Sequence, residues 1–172
     1  PPLTANPRLV PNGIVRAIAQ VGCALYLGGD FTSIGPNTGG GAALDLDAGL
    51  LAPGIPNHLA IAGTVFAAAS DDAGGWFIGG TFTKVGNTTR NRLARLNADG
   101  TLHGWDPNAN STVRALAVSG STVYAGGDFT MLDGGTPRNR LAAIGTDGVL
   151  SSWNPNADSY VYALAVAGST VY

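Results

Sequence analysis

Short blocks in which apolar positions alternate with small or polar ones recur along the whole chain, separated by turns rich in Gly, Ser, Asn and Asp. The clearest block begins at Val113. Residues 113–118 (Val-Arg-Ala-Leu-Ala-Val) alternate with a period of two, which predicts a strand with one face buried. Ser119-Gly120-Ser121 reads as a turn, and residues 122–130 as a second strand. A longer loop leads to a third at 140–144. Asp147-Gly148 then predicts a tight hairpin, because both residues tolerate positive φ. Residues 149–153 complete a fourth strand, ended by Asn154-Pro155-Asn156, since proline cannot donate to a ladder. No 3.6-residue periodicity competes over a useful length.

The block repeats. Pro-Asn pairs begin at Pro11, Pro56, Pro107 and Pro155. A Val-x-Ala-x-Ala element begins at Val15, Val65, Val113 and Val161. Gly-Gly-[Asp/Thr]-Phe-Thr begins at Gly28, Gly79 and Gly126, and a turn closes at Gly49, Gly100 and Gly148. Four marks in constant order, at steps of 45 to 51 residues, define a repeat. Four short antiparallel strands per ~48 residues predict an all-β chain of β-propeller blades. Three full copies (10–56, 57–107, 108–155) are followed by a partial fourth (156–172), and residues 1–9 are read as an outer strand of a preceding blade. The paired alanines of each Val-x-Ala-x-Ala element share one sheet face. They suit an innermost strand, where blades crowd, while Tyr124, Phe129 and Trp153 fill the wider gaps farther out.

The motifs Gly-Gly-Asp-Phe-Thr, Arg-Asn-Arg-Leu-Ala and Asp-Gly-x-Leu-x-x-Trp-x-Pro-Asn resemble the bacterial delta-sixty repeat, a β-propeller repeat often found in secreted or surface-attached proteins. The resemblance covers nearly all of 10–172 and is best in the third copy. The first copy departs, with Gly-Gly-Gly-Ala-Ala-Leu at 39–44 and no Trp; the second has Thr81 for the Asp. The resemblance implies a binding scaffold at the cell surface or outside the cell and brings no catalytic motif.

Tyr172 aligns with Tyr124, so the fourth copy is expected to break off inside its second strand. The count is then about three and three-quarter blades, where propellers use four to eight. The chain is read as part of a longer propeller, or as one that closes its ring by association through open blade edges.

Composition narrows the function classes. Apolar residues make up 45% and charged residues 12%, against about 25% charged in an average domain; this is a folded chain. A net charge of −2 with nine scattered Lys and Arg offers no basic stripe for nucleic acid. No apolar run is long enough for a membrane span. The single Cys23 rules out an intrachain disulfide and is read as a buried, inert thiol.

Most residues with chemical potential recur in register, which assigns them to architecture. Asp30 and Asp128 are read as acceptors for turn amides. Arg90, Arg92, Arg138 and Arg140 are read as partners of those Asp residues or of loop carbonyls, with an anion site as the alternative. Asp45-x-Asp47-x-Gly49 is a fragment of a calcium loop without its closing Glu. Asp71-Asp72 reads as a solvated loop tip. His58 and His103 occupy different repeat positions and lack the spacing of a zinc site. Trp105 and Trp153 are repeat-equivalent packing residues, whereas Trp76 stands where later copies carry Val and is the candidate for stacking on a sugar. Asn87-Thr-Thr and Asn110-Ser-Thr match glycosylation acceptors and are read as turn residues.

Function is sought where the repeats differ. The second position of the first strand is Arg16, Phe66, Arg114 and Tyr162, and the loops 33–40, 71–75, 84–89 and 132–137 also vary. With Trp76, these four residues are the expected ligand-binding set. The reading is a non-enzymatic interaction module for a protein or glycan, needing no cofactor and no metal. The alternatives are a repeat that builds a homo-oligomer or filament and a hydrolase using loop carboxylates such as Asp71 or Asp72.

Overall fold

A computed structural model describes residues 10–22, 24–34, 40–45 and 59–172. Every regular element in them is a β-strand, and no helix is long and apolar enough to cross a membrane. Three antiparallel sheets follow one another, one per repeat. Repeat I uses Val15–Val21, Ala24–Gly29 and Gly41–Asp45; repeat II uses Val65–Ser70, Trp76–Gly80 and Leu93–Leu96; repeat III uses Val113–Ser119, Thr122–Gly127 and Leu141–Gly145. In each, the second strand is the middle one. The first strands of successive repeats lie against one another, as their alternating alanines require.

The core is laid down as slabs between sheets. One joins repeats I and II through Ala17, Tyr26, Val65, Trp76 and Ile78. The next joins II and III through Phe77, Trp105, Val113, Val123 and Ile144. The Gly-Gly pairs explain how the sheets come so close. A Cβ on Gly79 would stand 2.7 Å from Val113 of the next repeat, and one on Gly126 would stand 2.6 Å from Val161. A Cβ on the second glycine (Gly29, Gly80 or Gly127) would run into the carbonyl of Ile14, Thr64 or Thr112 in its own sheet. The first glycine thus admits the neighbouring blade and the second admits its own first strand. Gly79→Ala is expected to cost about 1–3 kcal/mol by overpacking. Gly104→Ala, where nothing lies within 4 Å, should stay within about 0.5 kcal/mol of the parent. Urea unfolding midpoints compare the two.

The outer parts differ from expectation. The second strand of repeat III stops at Gly127, and the segment beyond folds into its own hairpin, Met131–Leu132 against Thr136–Pro137. In repeat II, Lys84–Val85 pairs with Thr88–Thr89 and with Ile61–Ala62. The fourth strand shrinks to single bridges, Leu96 with Leu102 and Ile144 with Leu150. Arginine side chains bind the backbone where the ladder stops. The His103 and Ser151 carbonyls, which would extend the ladder, accept from Nη2 of Arg90 (3.3 Å) and Arg138 (2.6 Å). The first strand of the fourth copy also falls short, with Val166–Ala167 paired to Thr170–Val171 and Ala165 exchanging backbone hydrogen bonds with Tyr172.

The Arg-Asn-Arg motif is a clasp on the first residues of the next repeat. Arg92 and Arg140 donate to the Ala109 and Ala157 carbonyls (3.0 and 3.2 Å). Asn91 and Asn139 donate to Asn108 and Asn156 (2.8 and 2.5 Å). Of the two sequence readings for these arginines, the carbonyl reading holds. Both Asn108 and Asn156 sit at positive φ (51° and 59°), a conformation Asn tolerates better than most residues. Repeat I lacks Arg-Asn-Arg and the Trp-x-Pro-Asn segment together.

Candidate functional site at the start of the first strands

The first strand of each complete repeat carries a β-bulge at its second position. Val15 pairs with Gly29 and Ala17 with Gly28, leaving Arg16 as the extra residue; Phe66 and Arg114 are extra in the same way. A bulge releases a residue from the ladder and re-aims its side chain. The three bulge residues and Tyr162 consequently meet. With Ile14 and Val15, all four line one open cavity of about 330 Å³.

Inside it, cations and rings alternate. The Arg16 guanidinium carbon lies 5.3 Å from the Phe66 centroid, that of Arg114 lies 5.9 Å from the same ring, and Arg114 is also 5.0 Å from Tyr162. These distances are within cation–π range. Each guanidinium is held by the Asp of its own Gly-Gly-Asp motif. Arg16 donates through Nε to Asp30 (2.7 Å) and pairs through Nη2. Arg114 makes a two-pronged contact with Asp128, at 2.6 and 2.7 Å. The hydrogen bond to Asp30 raises the Arg16 pKa against the opposing effect of desolvation. The reciprocal bond from Arg16 lowers the Asp30 pKa. Asp128 likewise raises Arg114. Thus Asp30 and Asp128 serve a side chain rather than turn amides, which corrects the sequence reading. The signal was present: Arg and Asp stand 14 residues apart in repeats I and III, and repeat II changes both members, to Phe66 and Thr81.

The other candidates fall elsewhere. Trp76 is 1% exposed, in the slab between repeats I and II; it is packing and presents no face to a sugar. Asp71 is no solvated tip: its side chain is 3% exposed and ion-paired with Arg95 at 2.8 Å, whereas Asp72 is exposed in a turn. Trp105 is buried and donates to the Gly145 carbonyl (2.9 Å), while Trp153 meets Tyr124 edge-on at 5.3 Å. Asn110 accepts from the Thr130 and Met131 amides, as Asn12 does from Thr32 and Ser33, so it is a loop clamp. Asn87 is exposed at a hairpin tip. His103 accepts from the Trp105 amide through Nδ1 (3.0 Å) beside a second cleft of about 650 Å³ that also includes Asp106, Asp133 and Asp147. No three His, Cys, Asp or Glu converge as a metal site among the described residues. Cys23, Asp47, Gly49, Pro56, His58 and residues 1–9 lie outside the described residues, as does the side chain of Asp45.

Comparison with known proteins agrees with the architecture. The model of a β-propeller domain of unknown function, DUF5122, matches residues 74–102. No curated protein matches. The crystal structure of the computationally designed Ika4 protein is similar over 96% of this chain and 89% of that one, with a TM-score of 0.62 and 17% identity. That likeness concerns the fold alone.

Proposed function

We propose that this all-β, propeller-type chain is a non-catalytic binding module, and that its ligand docks on the ladder Arg16, Phe66, Arg114 and Tyr162. One observation carries the reading: the bulge position changes its side chain between repeats, and the bulges converge on a single cavity. Residues that recur in register build blades; residues that differ and still meet have the properties of a site. The partner is a protein or a glycan, met at the cell surface or outside the cell, as the resemblance of the repeat implies.

Glycan and peptide arrays probed with the parent chain, Phe66→Ala and Arg114→Ala test this. Removing a central anchor is expected to weaken binding by tenfold or more, about 1.4 kcal/mol or above, while unfolding stays cooperative and the midpoint falls modestly in Arg114→Ala, which strands Asp128. Ligands that bind all three proteins equally would place the site elsewhere.

A further inference from the structure

We infer that the ladder selects a ligand bearing a carboxylate next to an aromatic or other apolar body. The inference rests on the site reading above and adds the chemistry. Asp30 and Asp128 engage Nε and Nη2 of their arginines. Nη1 of Arg16 and of Arg114 has no partner among the described residues. Each guanidinium is therefore oriented by one edge and offers donors at the other. Such an arrangement suits a planar carboxylate, which accepts charge-assisted hydrogen bonds.

The body of the ligand is specified by what lies between the arginines. Phe66 sits between the two guanidiniums, and repeat II has Thr81 where its neighbours have Asp. The centre of the ladder thus has a ring and no carboxylate to repel an anion. Ile14 (59% exposed) and Tyr162 (67% exposed) extend the apolar surface. A cavity of about 330 Å³ holds one side chain or one ring, so the recognised unit is a terminal group. An ammonium ligand is disfavoured, because two guanidiniums flank the entry and each Asp is already ion-paired with its own arginine. Since the pairs Arg16–Asp30 and Arg114–Asp128 cancel in charge, selection comes from short-range hydrogen bonds rather than long-range steering.

The test is an NMR titration that follows arginine Nε–H signals, with four probes: N-acetylphenylalanine, its amide, phenethylamine and a tripeptide ending in Phe with a free carboxylate. The acids are expected to bind tenfold or more tightly than the amide, in keeping with a hydrogen bond to a charged group, and to shift the Arg16 and Arg114 signals. Tighter binding of the tripeptide than of the free acid identifies a peptide terminus as the source. Equal binding of the two identifies small aromatic acids. Arg114→Gln should erase the preference for acid over amide, and Arg114→Lys should retain part of it, both in cooperatively folded protein whose midpoint falls modestly because Asp128 loses its two-pronged partner. Equal binding of acid and amide, stronger binding of the amine, or no binding by any probe at about 10 mM overturns the inference. If array ligands without a carboxylate are lost in Phe66→Ala, the site reading stands and the carboxylate falls. If no ligand responds to Phe66→Ala, both fall.

Discussion

Replacing Trp76 with alanine is expected to destabilise the fold by about 3–5 kcal/mol, seen as a lower urea midpoint with an unchanged slope. In repeats II and III the aromatic residue of the middle strand meets the tryptophan of its own fourth segment. Phe77 and Trp105 are 4.9 Å apart at 67°, and Tyr124 and Trp153 are 5.3 Å apart at 80°. Repeat I has no such tryptophan. Tyr26 instead meets Trp76, a residue of the next repeat, at 5.6 Å and 34°. The extra ring of repeat II fills the gap left by the missing ring of repeat I. Trp76→Val, which restores the residue found at Val123, should therefore also destabilise, although it makes the repeats more alike. The fit is imperfect in one respect. The Tyr26 hydroxyl and the Trp76 indole N–H are buried without a hydrogen-bond partner among the described residues, and burial pushes the Tyr26 hydroxyl well above the usual phenol range. Tyr26→Phe removes an unpaired polar atom and should hold or raise stability, by up to about 1–3 kcal/mol. A parent-like midpoint for Trp76→Ala would disprove the gap-filling role.

Asp71→Ala should cost about 1.5–3 kcal/mol, the range for hydrogen bonds to a charged group, because its ion pair with Arg95 is half-buried. Asp71 accepts from the Ala73 and Gly75 amides (2.9 and 2.7 Å) and from Nε and Nη2 of Arg95 (3.1 and 2.8 Å). Arg95 also lies 5.2 Å from the Phe77 ring and donates to the Thr146 carbonyl of repeat III (3.3 Å). Losing Asp71 therefore frees a turn, leaves a cation without its anion and loosens a tie between repeats. Asp71→Asn separates these effects, because its amide oxygen still caps the turn while its NH2 confronts Arg95. The pH dependence gives a second readout. Desolvation pushes the Asp71 carboxyl up, but the hydrogen bonds from Ala73, Arg95 and Gly75 together outweigh it and hold the group below its ordinary value. A lowered folded-state value contributes stability that is complete above the unfolded pKa, about 3.9, and is lost as pH falls through the folded value. The advantage of the parent over Asp71→Asn should thus be constant at neutral pH and shrink below about pH 4. An advantage that stays constant into acid would exclude the ion pair as its source.

The repeat, the strand order and the crowded first strands were legible because period-two alternation and glycine pairs are local signals. The variable second position was legible as well, by comparing copies. What it touches was not. Alignment of Arg16 with Arg114 and of Asp30 with Asp128 shows that each recurs, and recurrence alone suggested that the Asp served its own turn. Only the bulge brings the two together. Trp76 misled for a related reason: its departure from the other copies marks a packing repair across a repeat boundary, not an exposed surface. The shortened fourth strands were not legible either: the His103 and Ser151 carbonyls bind Arg90 and Arg138 through side-chain bonds that alternation does not report.

The bulge also sets what can change in this chain. A paired strand residue is answerable to the partner opposite it and to the sheet face it lies on. Arg16, Phe66 and Arg114 have no residue opposite them, so register and core are indifferent to their identity. Each blade can exchange that one side chain, together with the residue after its Gly-Gly, without renegotiating the fold. The ladder they form is in effect a row of letters, rewritable one repeat at a time, each read next to its neighbours.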